Sequence, residues 1–326
     1  MIIIKWYRFI YYFKANFKFL LIIFTFFILI KDFSSDIFIE KELSEIEPNS
    51  TELNWNNIYK DFTSLALKYE YLLSEEKNIP EDSPIWLMWY QGIEKAPRIV
   101  QSCVKSIIEN RGNHKVFIIN KFNINNYIKL PSYIYEKLNN GSFSITHFSD
   151  IIRFGLLYKY GGYWIDSTLF ITSPLENINS TFFTLKKNNT VNHPFMNRRW
   201  AGFFLGTTKK SFISTYCYIG FLIYWKKYNS LIHYFLIDYV IYIAYKSVNQ
   251  FKYEIEKLPD DKCHIWLLNY LNSNYNKKYF KCHYYKLSYK RPLTSLNGTK
   301  KTNYGYIIEK YKLNFEQLNK NSDIFF

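Results

Sequence analysis

The chain has 326 residues, 48% of them hydrophobic, enough to bury a substantial core in one large domain or a domain with a small appendage. Its formal net charge of +15, from 42 Lys and Arg against 27 Asp and Glu, points to acidic partners such as nucleic acid, anionic lipid or phosphorylated metabolites. No helix-turn-helix, zinc-finger or RNP-type signature accompanies that charge, so nucleic acid is not expected as a partner.

At the N-terminus, Lys5, Arg8, Lys14 and Lys18 precede an uninterrupted apolar run from Phe19 to Ile30. Crossing the hydrocarbon takes about 20 residues, so a full span needs the aromatic-rich stretch before this run to contribute, with Lys14 and Lys18 snorkelling. A signal anchor, an interfacial helix and a cleaved signal peptide are all open, although no A-x-A-like site follows. Attachment to a membrane is their shared consequence.

Residues 1–31 are therefore assigned to a membrane anchor or interfacial helix, 32–80 to a polar stem and packing helix, and 81–326 to the main domain. Within the stem segment, Ile58, Phe62, Leu65, Ala66, Tyr69 and Leu72 recur at helical spacing, which predicts an amphipathic helix over 53–73. From Pro84 onward strand and helix patterns alternate: IWLMWY (85–90) as a buried strand, 96–110 as a helix, KVFIIN (115–120) as a second strand. Such alternation predicts an α/β fold with a mixed, largely parallel sheet, whose ligands gather at the carboxyl ends of the strands.

The stretch SDIIRFGLLYKYGGYWIDSTLFI (149–171) places Asp150, Arg153 and Asp166 in otherwise apolar sequence. Ser149 suits an N-cap and Gly161-Gly162 a helix end, predicting a helix over 149–160 with Asp150 and Arg153 on one face of its first turn. That helix climbs roughly 16 Å and the strand Tyr163–Asp166 returns roughly 13 Å, so Asp166 comes back to the level of the other two. Two acids around one base leave a surplus negative charge that suits a cation or sugar hydroxyls; the alternative is a buried ion pair beside an exposed Asp.

These residues carry a resemblance. WLMWYQGIEKAPRIVQSCVKSI followed by HFSDIIRFGLLYKYGGYWIDSTLFI resembles the capsular polysaccharide synthesis glycosyltransferases, kin of the fungal initiating mannosyltransferases and of the glucosylating clostridial toxins. The likeness is strong over about 84–175 and weaker through HPFMNRRWAGFFLGT, YFLIDYVIYIAY and KLSYKR. It implies a GT-A fold that takes a nucleotide-activated hexose, retains its anomeric configuration and passes it to a glycan or glycolipid acceptor. A Golgi-type mannosyltransferase and a non-catalytic nucleotide-sugar- or glycan-binding relative are the alternatives.

The resemblance further implies that Trp89 stacks on the base, with Gln91 and Gly92 in the following loop, and that Asp150 and Arg153 hold ribose and donor sugar. The family's D-x-D reads Asp166-Ser167-Thr168 here, so a divalent cation, Mn²⁺ or Mg²⁺, would have Asp166 as its strong protein ligand and Thr168 as a weak one. Lys286, Lys290 and Arg291 can neutralise a departing nucleoside diphosphate or be ordinary surface charge. Asp238, in an apolar segment, either holds a sugar or is a partnered structural acid.

Four cysteines complete the inventory. Cys263-His264 and Cys282-His283 lack CxxC spacing, and adjacent residues on a strand point apart, which argues against zinc. Four free buried thiols are expected, with a Cys263–Cys282 disulfide as the alternative for a lumenal domain. Five N-x-S/T sequons, beginning at Asn49, Asn140, Asn179, Asn188 and Asn297, suit a Golgi lumen, whereas a bacterial enzyme would face the cytoplasm, where sugar nucleotides are.

Overall fold

The computed structural model describes residues 37–48, 52–175, 180–186, 199–260 and 266–326. The expected membrane-associated segment 1–31 and Cys263 lie outside the described residues. Contacts cluster the chain into two units, Met1–Ser50 and Thr51–Phe326. In the first, residues 37–44 are helical. Among the described residues no helix is long and apolar enough to cross a membrane.

The second unit starts with α1 (Trp55–Tyr69), capped by Asn54, whose side chain accepts from the Asn57 amide. Ile58, Phe62, Leu65, Ala66 and Tyr69 form its buried face, as their spacing predicts. Beyond Tyr69 the chain tightens into a 3₁₀ turn (Glu70–Ser74), which rotates Leu73 rather than the expected Leu72 into the core.

A six-stranded sheet follows in the order β10-β2-β1-β3-β6-β5, built from β1 (Ile85–Met88), β2 (Val116–Ile119), β3 (Gly162–Ile165), β5 (Phe182–Thr184), β6 (Phe204–Thr207) and β10 (Ile324–Phe325). The four strands β10, β2, β1 and β3 run parallel, while β6 is antiparallel to both β3 and β5. The mixed α/β, largely parallel sheet expected from the alternation is therefore present. Its strands read as continuous apolar runs because both faces are covered. Ile85, Leu87, Val116, Ile118, Tyr163 and Ile165 share one core cluster with Ile99, Cys103 and Ile107 of α2 (Arg98–Glu109) and Ile307 of α9 (Asn303–Lys310). On the other face Trp86 packs on Phe117, Tyr127 and Tyr160 at 4.7, 5.7 and 5.2 Å between rings.

That second face is covered by α5 (Ile145–Tyr160), which packs against β1, β3 and α6 (Phe212–Lys227). The predicted end at Gly161-Gly162 is correct: both glycines have positive φ, +69° and +94°, and a Cβ on Gly162 would stand 2.2 Å from the Pro84 carbonyl oxygen. The buried Trp86 indole N–H donates to the Gly161 carbonyl at 2.9 Å and so holds this turn against β1. The predicted start is four residues late. Ser144, not Ser149, is the N-cap, and Ser149 sits inside the helix with its hydroxyl donating to the Thr146 carbonyl. A serine at mid-helix can satisfy itself on the preceding turn, so its presence alone does not mark a helix start.

Two further strands form a small antiparallel sheet, β4 (Leu169–Ile171) with β7 (Tyr284–Lys286), in the register Leu169↔Lys286. Cys103 and Cys217 are free and buried, but Cys282 is disulfide-bonded, so the expectation of four free thiols is corrected.

Candidate functional site

The parallel strands β1 and β3 end at Met88 and Ile165, and a cleft of about 570 Å³ opens over these carboxyl ends. Side-chain alternation aims Trp164 and Asp166 at the face that α5 covers, because Tyr163 and Ile165 point into the opposite core cluster. On α5, Asp150 and Arg153 are three residues apart and meet them there.

The helix and the strand converge on one guanidinium. Arg153 Nη1 donates to Asp150 Oδ1 at 2.8 Å and Nη2 to Asp166 Oδ1 at 3.2 Å. Trp164 Nε1 donates to the same Asp166 oxygen at 2.9 Å, and the Arg153 guanidinium lies 5.0 Å from the Trp164 ring centre. Trp164 belongs to the GGYWID part of the quoted stretch 149–171, and its period-2 relation to Asp166 is the signal that could have assigned it a role from sequence.

The other Asp166 oxygen is taken from a distant part of the chain. Lys286 Nζ donates to Asp166 Oδ2 at 2.5 Å and to Thr168 Oγ1 at 2.7 Å. Burial raises the Asp166 pKa, yet the Lys286 ammonium and the Arg153 guanidinium, with hydrogen bonds from Lys286 and Trp164, outweigh it and hold this carboxyl below its usual range. Asp150 behaves oppositely. Its burial dominates, and neighbouring Asp166 and Asp238 add to it, so its pKa rises to about 7 despite Arg153.

Trp89, Gln91, Arg153, Asp166, Thr168, Lys286 and Lys290 all line the cleft. Gly92 does not: it is buried under the loop with φ +96°. Arg291 is exposed and outside the cleft lining. Asp238, on α7 (Leu236–Ser247), is buried and accepts from the Trp200 indole at 3.0 Å; burial raises its pKa to about 6, while Trp200 and Arg153 lower it. Lining aromatics to which the sequence assigned no role include Tyr289, whose ring meets Trp89 edge-on at 5.3 Å, Tyr234 and Tyr90.

The Asp166–Thr168 pair is where the resemblance seats a divalent cation. Asp166 Oδ1 already accepts from Arg153 and Trp164, Oδ2 from Lys286, and the Thr168 oxygen from the same ammonium. Among the described residues no group of three His, Cys, Asp or Glu side chains could hold a metal ion. The residues present do not fit a resident divalent cation.

Beyond its geometry, the chain matches the family model described as "Capsular polysaccharide synthesis protein" over residues 35–307. The chain belongs to the capsular polysaccharide synthesis protein family. It is also 26% identical over 110 residues to the O-glycosyltransferase braB of Annulohypoxylon truncatum, an alignment covering 31% of this chain and 26% of that protein's length. Among solved structures it is similar to the PaToxG glycosyltransferase, at 12% identity and TM-score 0.30, over 49% of this chain and 66% of that one. This member of the family thus spans about a quarter of its curated relative.

Proposed function

We propose that this protein is a GT-A glycosyltransferase that moves a hexose from a nucleotide sugar to a glycan or glycolipid acceptor with retention of configuration, in cell-surface polysaccharide synthesis. The observation that carries this reading is the Arg153-centred cluster at the carboxyl ends of β1 and β3, opening into a cleft lined by cationic side chains and by the Trp89–Tyr289 aromatic pair. A volume of about 570 Å³ falls in the range of small-molecule sites. The family membership and the glycosyltransferase relative support the same class.

In this reading the nucleotide base lies against Trp89, and Arg153 with Asp150 orients ribose and donor hydroxyls. The bond between the anomeric carbon and the diphosphate oxygen breaks with its electron pair leaving on the diphosphate, as the sugar becomes oxocarbenium-like. Lys286 and Lys290 stabilise that developing negative charge. The acceptor hydroxyl forms the new bond on the same face, and its proton passes to the departing phosphate oxygen.

The test is a hydrolysis and transfer panel of UDP-, GDP- and CDP-hexoses with the full-length chain, each run with Mn²⁺ and with chelator. Turnover of one donor, reduced at least about 100-fold in Asp166→Asn, is expected, because the amide is isosteric but carries no charge to order Arg153 and Lys286. A folded wild type that turns over none of these donors would refute the enzymatic reading in favour of a non-catalytic sugar-binding relative.

The apolar run Phe19–Ile30 motivates a second part of the proposal, that residues 1–31 attach the chain to a membrane. Deleting them is expected to move the protein into the soluble fraction; a truncated protein still wholly in membranes removes the idea.

A further inference from the structure

We infer that the ammonium of Lys286 takes the place of the divalent cation at the shortened Asp166-Ser167-Thr168 motif and holds the donor diphosphate itself. This rests on the proposed nucleotide-sugar reading and specifies how the site meets the donor's charge.

The placement of Lys286 is set by backbone. Strand β7 pairs antiparallel to β4 with Lys286 opposite Leu169, and the Leu287 amide donates to the Thr168 carbonyl at 2.9 Å. Lys286 is therefore a ladder neighbour of the motif. Its stem runs past the Phe203 ring, with Nζ 4.9 Å from the ring centre. Nζ lies between Asp166 Oδ2 and Thr168 Oγ1, the two side-chain oxygens that would flank an ion bound by the motif.

The charges agree. The ionised side chains lining the cleft are Arg153, Lys286 and Lys290 against Asp166, three cations to one carboxylate. With Asp150, which Arg153 also holds, counted as ionised, the cluster still carries one positive charge in excess, which suits a diphosphate and disfavours an incoming divalent cation. An ammonium has three N–H donors; Asp166 and Thr168 take two, and the third serves a phosphate oxygen. Threonine at 168 also acquires a reason. Its hydroxyl accepts from Lys286 without adding the second negative charge that would be needed to hold a metal and that would cancel the ammonium.

The decisive measurement is calorimetric binding of UDP, GDP, CDP and inorganic pyrophosphate to full-length wild type, Lys286→Met and Lys286→Met/Thr168→Asp, each with EDTA and with Mn²⁺. Wild type is expected to bind its nucleotide with the same Kd in both conditions. Lys286→Met is expected to lose about 10- to 100-fold in both, as befits one charge-assisted contact. The double variant, with a second carboxylate and no ammonium, is expected to regain affinity in Mn²⁺ alone.

Wild-type binding that EDTA abolishes or that Mn²⁺ tightens tenfold would overturn the inference while leaving the donor site standing. Unchanged affinity in a Lys286→Met protein with wild-type Tm would overturn it as well. Wild type that binds none of the probes in either condition would overturn the donor-site reading, and this inference with it.

Discussion

Arg153 joins Asp150 of its own helix to Asp166 beyond the next strand, at 2.8 and 3.2 Å, so one buried guanidinium fixes helix α5 and the end of β3 to each other. Removing it should separate function from stability. Arg153→Met leaves Asp150 buried without its cation and is expected to cost about 3 kcal/mol in urea unfolding, the lower end for a broken buried pair because Asp150 can take up a proton. Arg153→Lys keeps a charge but cannot span both carboxyls with a planar fork, and is expected to unfold near wild type while donor turnover drops at least about 100-fold. Equal turnover in Arg153→Lys would show that the bridge is only structural.

Trp89 and Tyr289 meet edge to face at 5.3 Å in the cleft wall. If that wall receives a base, Trp89→Phe keeps most nucleotide affinity, whereas Trp89→Ala loses about 1 to 3 kcal/mol of binding. Calorimetric titration of the three folded proteins with the preferred nucleotide checks this, and identical affinities would return Trp89 to packing.

Outside the cleft lining, Glu76 accepts from the Phe212 amide at the start of α6, at 2.6 Å. Burial raises its pKa from 4.5 to about 7, with the nearby Glu254 adding to the rise, and hydrogen bonds from Phe212 and Thr181 oppose it. The folded state therefore keeps a proton that the unfolded chain releases, so this group's stabilisation is full below about pH 4.5 and is lost as pH climbs to about 7. Glu76→Gln keeps the acceptor without titrating. Its Tm relative to wild type is expected to rise between pH 4.5 and about 7 and to level off above that, and a pH-independent difference contradicts the linkage.

The glycine turn that returns the chain from α5 to β3 has no room for a side chain: φ is +94° at Gly162 and an added Cβ would meet the Pro84 oxygen at 2.2 Å. Gly162→Ala is expected to destabilise by about 1 to 3 kcal/mol and to reduce turnover further than stability alone explains, since β3 carries Asp166. Thermal melts with activity measured well below Tm test both parts.

What the sequence determined on its own was local. The 3.6-residue and 2-residue periods, with a glycine pair between them, fix how far α5 climbs and β3 returns, and that arithmetic brings Asp150, Arg153 and Asp166 to one level before any tertiary contact is known. Even the misplaced helix start, Ser149 for Ser144, left this intact, because added turns at the N-terminal end do not change the distance between Arg153 and the turn. The apolar runs likewise dictated a parallel sheet covered on both faces.

Tertiary structure decided everything that depended on long-range register. Lys286 reaches Asp166 across 120 residues through the pairing of β7 with β4, a short strand pair whose partners no periodicity names. The same pairing brings Tyr289 to Trp89, while Arg291, next to Lys290 in the chain, is left outside the cleft. In sequence Asp238 was open between a sugar-holding acid and a partnered structural one, and only packing shows that it accepts from the Trp200 indole in the core. The physical reason is common to all of these. Covalent geometry limits what neighbours in sequence can do, whereas the meeting of distant side chains is selected by burial and hydrogen-bond satisfaction over the whole molecule.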